Sequence, residues 1–239
     1  MVTELELLEL CDRGDALTPP ARALLLARAA GGAGDTPESL SLGARDRLIL
    51  RLRSQLFGDT VEARDTCPHC QQGAAFELSG AGLLGAADPA PARVEIQYGR
   101  YRVTSRPPTA GDLLAAAEAG PAGARAQLLT AVVLTAYLGD DVVSADALPA
   151  EVVDALGRRL AEADPFAEVA LSLTCESCGG TWEAVLDIAE FVWRELRDWG
   201  RRRLWEVHTL ARAYGWRERD VLAMAPRRRQ VYLEWVAND

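Results

Sequence analysis

The chain contains no lysine: apart from two histidines, all 26 of its basic residues are arginine. That bias, with abundant alanine and glycine, most simply reflects a GC-rich bacterial genome and assigns no activity. Histidine is scarce too, with only His69 and His208. P-loop, nucleophile-elbow and dinucleotide glycine patterns are all missing. No enzyme chemistry is therefore expected. Long apolar runs are also missing: none approaches the roughly 18–20 residues of a membrane helix. The opening Met1-Val2-Thr3-Glu4-Leu5-Glu6 lacks the basic and then apolar segments of a secretory signal. A cytoplasmic protein is expected. Positive charge is in deficit, with a formal net charge of −9 over 239 residues. A general DNA-binding protein needs a basic footprint instead.

Half of the chain is hydrophobic and about a quarter is charged, which is the composition of a globular protein. Its length suffices for a real core. Residues 4–30 read as two helices, the first with Leu5, Leu8 and Leu10 on its apolar face. Thr18-Pro19-Pro20 starts the second, with Thr18 as candidate N-cap, and Gly31-Gly32-Ala33-Gly34 ends it. A third helix is expected over 42–57, with Leu48, Leu52, Leu56 and Phe57 in period. Strand-like pieces follow near Val61 and over 74–78, then a linker over 80–91. Residues 94–98 and 101–104 flank Gly99-Arg100 as a hairpin. Helices are expected over 109–119, 122–138 and 149–163, and strands over 169–173 and 181–185. From Ile188 the chain reads as a long helix to about Tyr214, a break at Gly215, a short helix over 217–224 and a last one over 226–236. Asp187 is a candidate cap for the long helix, and Pro226 suits the first turn of the last.

Reduced thiols are the rule in the cytoplasm, so paired cysteines point to metal or redox chemistry. Thr66-Cys67-Pro68-His69-Cys70 and Thr174-Cys175-Glu176-Ser177-Cys178 each stand between two strands. One such turn presents two sulfurs, and a structural zinc takes four ligands in a tetrahedron. We therefore expect Cys67, Cys70, Cys175 and Cys178 to meet at one structural Zn2+. Bare thiols, thioredoxin-type redox chemistry and a catalytic zinc are the competing readings. His69 would be spare. Cys11, alone on the first helix, reads as a small core residue. The acidic pairs Asp140-Asp141 and Glu162/Asp164 read as a loop and a helix end, and His208 as a packed or partly exposed helix residue.

The resulting expectation is an α+β, mostly helical chain with a small zinc-ribbon β-sheet split by an α-helical insertion. Its parts are N-terminal helices (1–58), the first ribbon half (59–80), an inserted hairpin and helices (81–168), the second half (169–187) and a C-terminal helical tail (188–239). One compact unit is expected.

The tail holds five of the six tryptophans, and arginines outnumber acids from 194 to 229. Leu204, Val207, Leu210, Ala211 and Tyr214 form its apolar face. Three readings stay open: core, partner surface, or nucleic-acid contact. As a partner surface, its anchors would be Arg212, Tyr214, Trp216 and Arg228, because Trp, Tyr and Arg dominate interface energetics.

The order of features resembles a known family. It runs through 18–26, Arg45-Asp46-Arg47-Leu48, Leu56-Phe57-Gly58, the two CxxC turns and Arg106-Pro107-Pro108-Thr109 with Asp112-Leu113. It closes on 207–216, ending Tyr214-Gly215-Trp216, then Leu222-Ala223-Met224 and 229–233. This looks like the T-even-type phage baseplate hub assembly chaperones and their zinc-ribbon relatives in contractile tails and contractile injection systems. The tail also resembles small chaperones that accompany tape-measure proteins. The resemblance implies an assembly factor or minor structural component that binds baseplate, hub or tape-measure proteins, without catalysis and without a membrane. The rival expectation is a nucleic-acid-binding zinc-ribbon regulator, with Gly215 as the turn between two helices; the acidic total opposes it.

Overall fold

A computed structural model describes residues 3–31, 36–85 and 90–238. The Gly32-Ala33-Gly34 stop expected after the second helix lies outside the described residues, as do residues 86–89 of the expected linker. The elements run α1 (Glu4–Asp15), α2 (Pro19–Ala29), α3 (Leu42–Phe57), β1 (Thr60–Thr66), β2 (Gly73–Ser79), α4 (Gly80–Gly85), β3 (Val94–Tyr98), β4 (Tyr101–Ser105) and α5 (Ala110–Glu118). They continue with α6 (Gly120–Val132), β5 (Val133–Leu138), β6 (Asp141–Val142), α7 (Ala150–Ala163), β7 (Val169–Thr174), β8 (Thr181–Leu186), α8 (Ile188–Tyr214), α9 (Glu218–Leu222) and α10 (Pro226–Ala237). The class is α+β, with small antiparallel sheets.

Where one compact unit is expected, contacts cluster into two: Pro19–Glu190, and Met1–Thr18 with Phe191–Asp239. In the larger unit, Ser41 caps α3 by accepting the Ala44 N–H at 3.2 Å. The expected face of α3 is shifted: it buries Ile49, Leu50 and Leu52 together with Arg45, Asp46 and Arg53, while Leu48 and Leu56 are half-buried. Arg45 grips Asp46 through two bonds of 2.7 and 3.0 Å. Burial, opposed by the Arg45 hydrogen bonds, pushes the Asp46 carboxyl up to about 6. Asp164, expected at a plain helix end, is buried and accepts the Gly43 N–H at 3.0 Å.

The expected linker begins as α4. The Asp59 carboxylate accepts the Ala81 N–H at 2.6 Å and Ser79 Oγ that of Gly82 at 3.0 Å, so local caps hold the turn. The inserted hairpin extends into a four-stranded sheet, ordered β3-β4-β5-β6. The helix expected over 122–138 is the main miss: it ends at Val132, and 133–138 is β5. This stretch is β-branched and aromatic, and β4 supplies a partner, Val103 opposite Ala136. Leu148, Val152 and Leu156 close this core with Val103 and Ala136. The single ribbon sheet expected around the cysteines is instead two separate hairpins, β1-β2 and β7-β8.

In the smaller unit, Thr3 and Glu6 form a capping box on α1. Leu7, Leu8, Leu10 and Cys11 are buried, whereas Leu5, expected inward, is exposed. Gly14 lets the Trp193 ring approach; a Cβ there would lie 2.2 Å from it. The expected break falls at Gly215, in the left-handed region at φ 69°. Asp187 accepts the Glu190 N–H at 2.9 Å, as expected of a cap for α8.

Candidate metal centre

Each hairpin carries its CxxC at the tip, and the same turn is built twice. The Cys67 N–H donates to the Gln72 carbonyl and the Gln71 N–H to that of Cys67, both at 2.9 Å. In the second hairpin, Cys175 donates to Gly180 at 2.9 Å and Gly179 to Cys175 at 2.8 Å. The residue after the second cysteine is left-handed in both, Gly179 at φ 72° and Gln71 at φ 61°. Gln71 thus does what the missing glycine would do, at a cost of about 1–2 kcal/mol. Its side chain donates to the Pro68 carbonyl at 3.2 Å and steadies the turn.

The two turns face each other across more than a hundred residues of chain. Cys67 Sγ lies 3.8 Å from Cys178 Sγ, and Cys70 Sγ lies 3.7 Å from Cys175 Sγ. All four sulfurs lie within 4.8 Å of one another. A zinc ion bonds thiolate at about 2.3 Å, which puts tetrahedral sulfurs about 3.8 Å apart. The arrangement fits one metal ion with four sulfur ligands.

Further contacts join the hairpins. His69, exposed and expected to be spare, has its ring against Gly180, where a Cβ would lie 2.5 Å from Cδ2. Its Nε2 lies 3.1 Å from the Thr181 carbonyl, so the Nε2–H tautomer donates to it. Trp182 Nε1 donates to Asp65 Oδ2 at 2.9 Å, and its ring meets Phe76 edge-on at 5.8 Å. The Gly180 N–H donates to Cys178 Sγ at 3.4 Å.

Cys67 and Cys175 are buried, Cys70 is half-buried and Cys178 is exposed. The N–H groups of Cys178 and then Ser177 aim at the Cys175 sulfur and, against burial, hold that thiol down at about 6. For Cys70 the Gln72 N–H pulls the other way, but burial and the neighbouring thiols push it up to about 12. Cys175 is thus set to ionise first, and a cation would displace the proton that Cys70 holds. Cys11 stands apart in α1, where its thiol donates to the Leu196 carbonyl at 3.6 Å and burial raises it to about 11. His208 is exposed on α8.

The tail anchors separate. Tyr214 and Trp216 stack at 4.6 Å, and Tyr232 stands edge-on to Trp216 at 4.9 Å and to Trp235 at 5.3 Å. Tyr214 and Trp235 are exposed, Trp216 half-buried. Of the tail's apolar face, Leu204 and Tyr214 are exposed, while Val207 and Leu210 are buried. Arg212 and Arg228 are exposed, but the neighbouring Arg229 is 1% exposed and bound to Glu4 and Glu206. Sequence reasoning missed Arg229, Tyr232 and Trp235 in these roles. The i, i+3 spacing of Tyr232 and Trp235 on one helix was the available signal.

No protein-family model, curated protein or solved structure matches the chain.

Proposed function

We propose that this chain is a non-catalytic, zinc-stapled assembly factor or minor structural component of a contractile phage-tail-like injection-system baseplate. It acts in the cytoplasm by binding a baseplate, hub or tape-measure protein. Cys67, Cys70, Cys175 and Cys178 would hold one Zn2+. Four thiolates complete a tetrahedron and leave no open position for substrate, which favours a structural over a catalytic role. When bound, the ion supplies four bonds that tie the two hairpins together. His69, Trp182 and Asp65 keep the hairpins aligned, so the ligands stand ready.

The observation that carries protein binding is the aromatic ladder of Tyr214, Trp216, Tyr232 and Trp235, which ends at the surface. Trp and Tyr beside arginine make the usual anchors of an interface. The resemblance noted above supports the baseplate as its setting.

Co-expression with the proteins of a contractile injection cluster tests this. The tagged wild-type chain should retain a baseplate or tape-measure protein, and Trp235→Ala should lose it while melting normally. No retention, or retention untouched by Trp235→Ala, would refute the proposed face. A sequence-specific gel shift of duplex DNA at physiological salt would favour the zinc-ribbon regulator instead.

A further inference from the structure

The side of α8 turned away from the core has an unusual composition. Buried Val192, Leu196, Trp199, Val207 and Leu210 mark its inner side. At about 100° per residue, Trp205 points opposite to them. It is 63% exposed. Arg194, Arg201, Arg202 and Arg212 share its side of the helix, and Asp198 is the acid among them. Arg201 makes a loose pair with Asp198 at 3.8 Å. Arg194, Arg202 and Arg212 make no ion pair among the described residues. Tyr214 lies nine positions beyond Trp205, about 180° around the helix. This ridge is therefore not the aromatic ladder, and Arg212 belongs to the ridge.

Asp198 stands four residues from both Arg194 and Arg202 and offsets part of the charge, but the side still carries four arginines against one acid, and Trp205 leaves most of its surface in water. Most of the chain is acidic, with a net charge of −9, so the ridge is a positive stripe on a negative protein. We infer that it is a second docking surface, and that its occupant is an acidic α-helix of a partner protein.

The shape and charge of the ridge select that occupant. From Arg194 to Arg212 it runs straight for about 27 Å, some five helical turns. A helix with carboxylates at i, i+7 and i+18 matches the spacing of Arg194, Arg201 and Arg212, and a small apolar notch in it would take the Trp205 ring. A lipid surface fits poorly, because interfacial helices need a broad apolar face and this one has a single tryptophan. Nucleic acid fits poorly as well, because four arginines spread over about 27 Å, with Asp198 among them, do not match a backbone charged every few ångströms. With one surface on the ladder and another on the opposite side of α8, the protein bridges two partners instead of capping one. The inference rests on the reading of the chain as a protein-binding module, and not on the baseplate as its setting.

A direct test uses the full-length protein and a labelled 21-residue helical peptide of Glu, Ala and Leu, with carboxylates along one face and one leucine gap. Fluorescence anisotropy should show binding. Trp205→Ala should weaken it at least ten-fold, and Arg201→Glu with Arg202→Glu should abolish it. All variants are exposed and should keep wild-type melting temperatures. Trp235→Ala, on the other surface, should leave peptide affinity unchanged, which separates failure of this inference from failure of the ladder. A proline-broken peptide of the same composition should bind at least ten-fold more weakly. Equal binding of the broken peptide, no loss with Trp205→Ala, or tighter binding of single-stranded DNA or phosphatidylserine vesicles would overturn the assignment of an acidic helix.

Discussion

Replacing Arg229 with methionine should cost far more than the same change one residue earlier. Arg229 is fully buried in α10 and holds the Glu4 carboxylate with two bonds, 2.7 and 2.9 Å. Its Nε pairs with Glu206 at 2.8 Å, and its Nη1 also donates to the Val221 carbonyl at 3.2 Å. Arg203 pairs with both carboxylates as well, so two arginines and two glutamates balance. Arg229→Met preserves volume but leaves two carboxylates facing one arginine. Breaking a buried pair by removing one partner costs about 3–5 kcal/mol. Glu4 and Glu206 keep some solvent contact, 22% and 14%, which places the expectation at the low end, about 3 kcal/mol. With a urea slope of about 1–3 kcal/mol per molar, the midpoint should fall by about 1–3 M. Tryptophan fluorescence is the assay, since five of the six tryptophans lie in 193–235. Arg228→Met, at an exposed site, should stay within about 0.5 kcal/mol. Adding Glu4→Gln to Arg229→Met should recover part of the loss, because it removes an uncompensated charge. Equal midpoints for the Arg228 and Arg229 variants would refute this account of the network.

Three further outcomes are expected. Elemental analysis of the purified protein should find one zinc per chain, and Cys175→Ser should lower the melting temperature much more than Cys11→Ser, because metal binding is coupled to folding; a well-folded metal-free protein, or equal effects, would contradict the ligand set. Gly180→Ala would place a Cβ 2.5 Å from the His69 ring and 3.3 Å from Cys178 Sγ, so chelator competition should show zinc held about ten-fold less tightly, and unchanged retention would refute the role given to His69. Asp46 has its folded value raised from 3.8 to about 6 by burial, so its contribution is fully present below 3.8 and is lost as pH rises through about 6; the urea midpoint of Asp46→Asn relative to wild type should therefore improve over that window, and a constant difference would remove Asp46 as the titrating group.

The features that sequence alone determined here are local ones. A CxxC between two strands builds its turn from neighbouring residues, so both cysteine pairs and their turns were legible. The left-handed break at Gly215 and the capping Asp187 were legible for the same reason, since each depends on contacts within one or two turns. The meeting of the two hairpins was inferable only from ligand number, and its geometry was decided by the fold: His69 reaches Thr181, and Trp182 reaches Asp65, across more than a hundred residues. Residues 133–138 followed a helical reading until β4 supplied a strand to pair with, a partner remote in sequence and decisive in free energy. Arg227, Arg228 and Arg229 are chemically identical, and packing alone chose the third for burial against Glu4, at the far end of the chain. Trp205 and Trp193 are likewise the same residue on the same helix. One is buried beside Gly14 and the other faces solvent, because only tertiary contact decides which side of a helix becomes the inside.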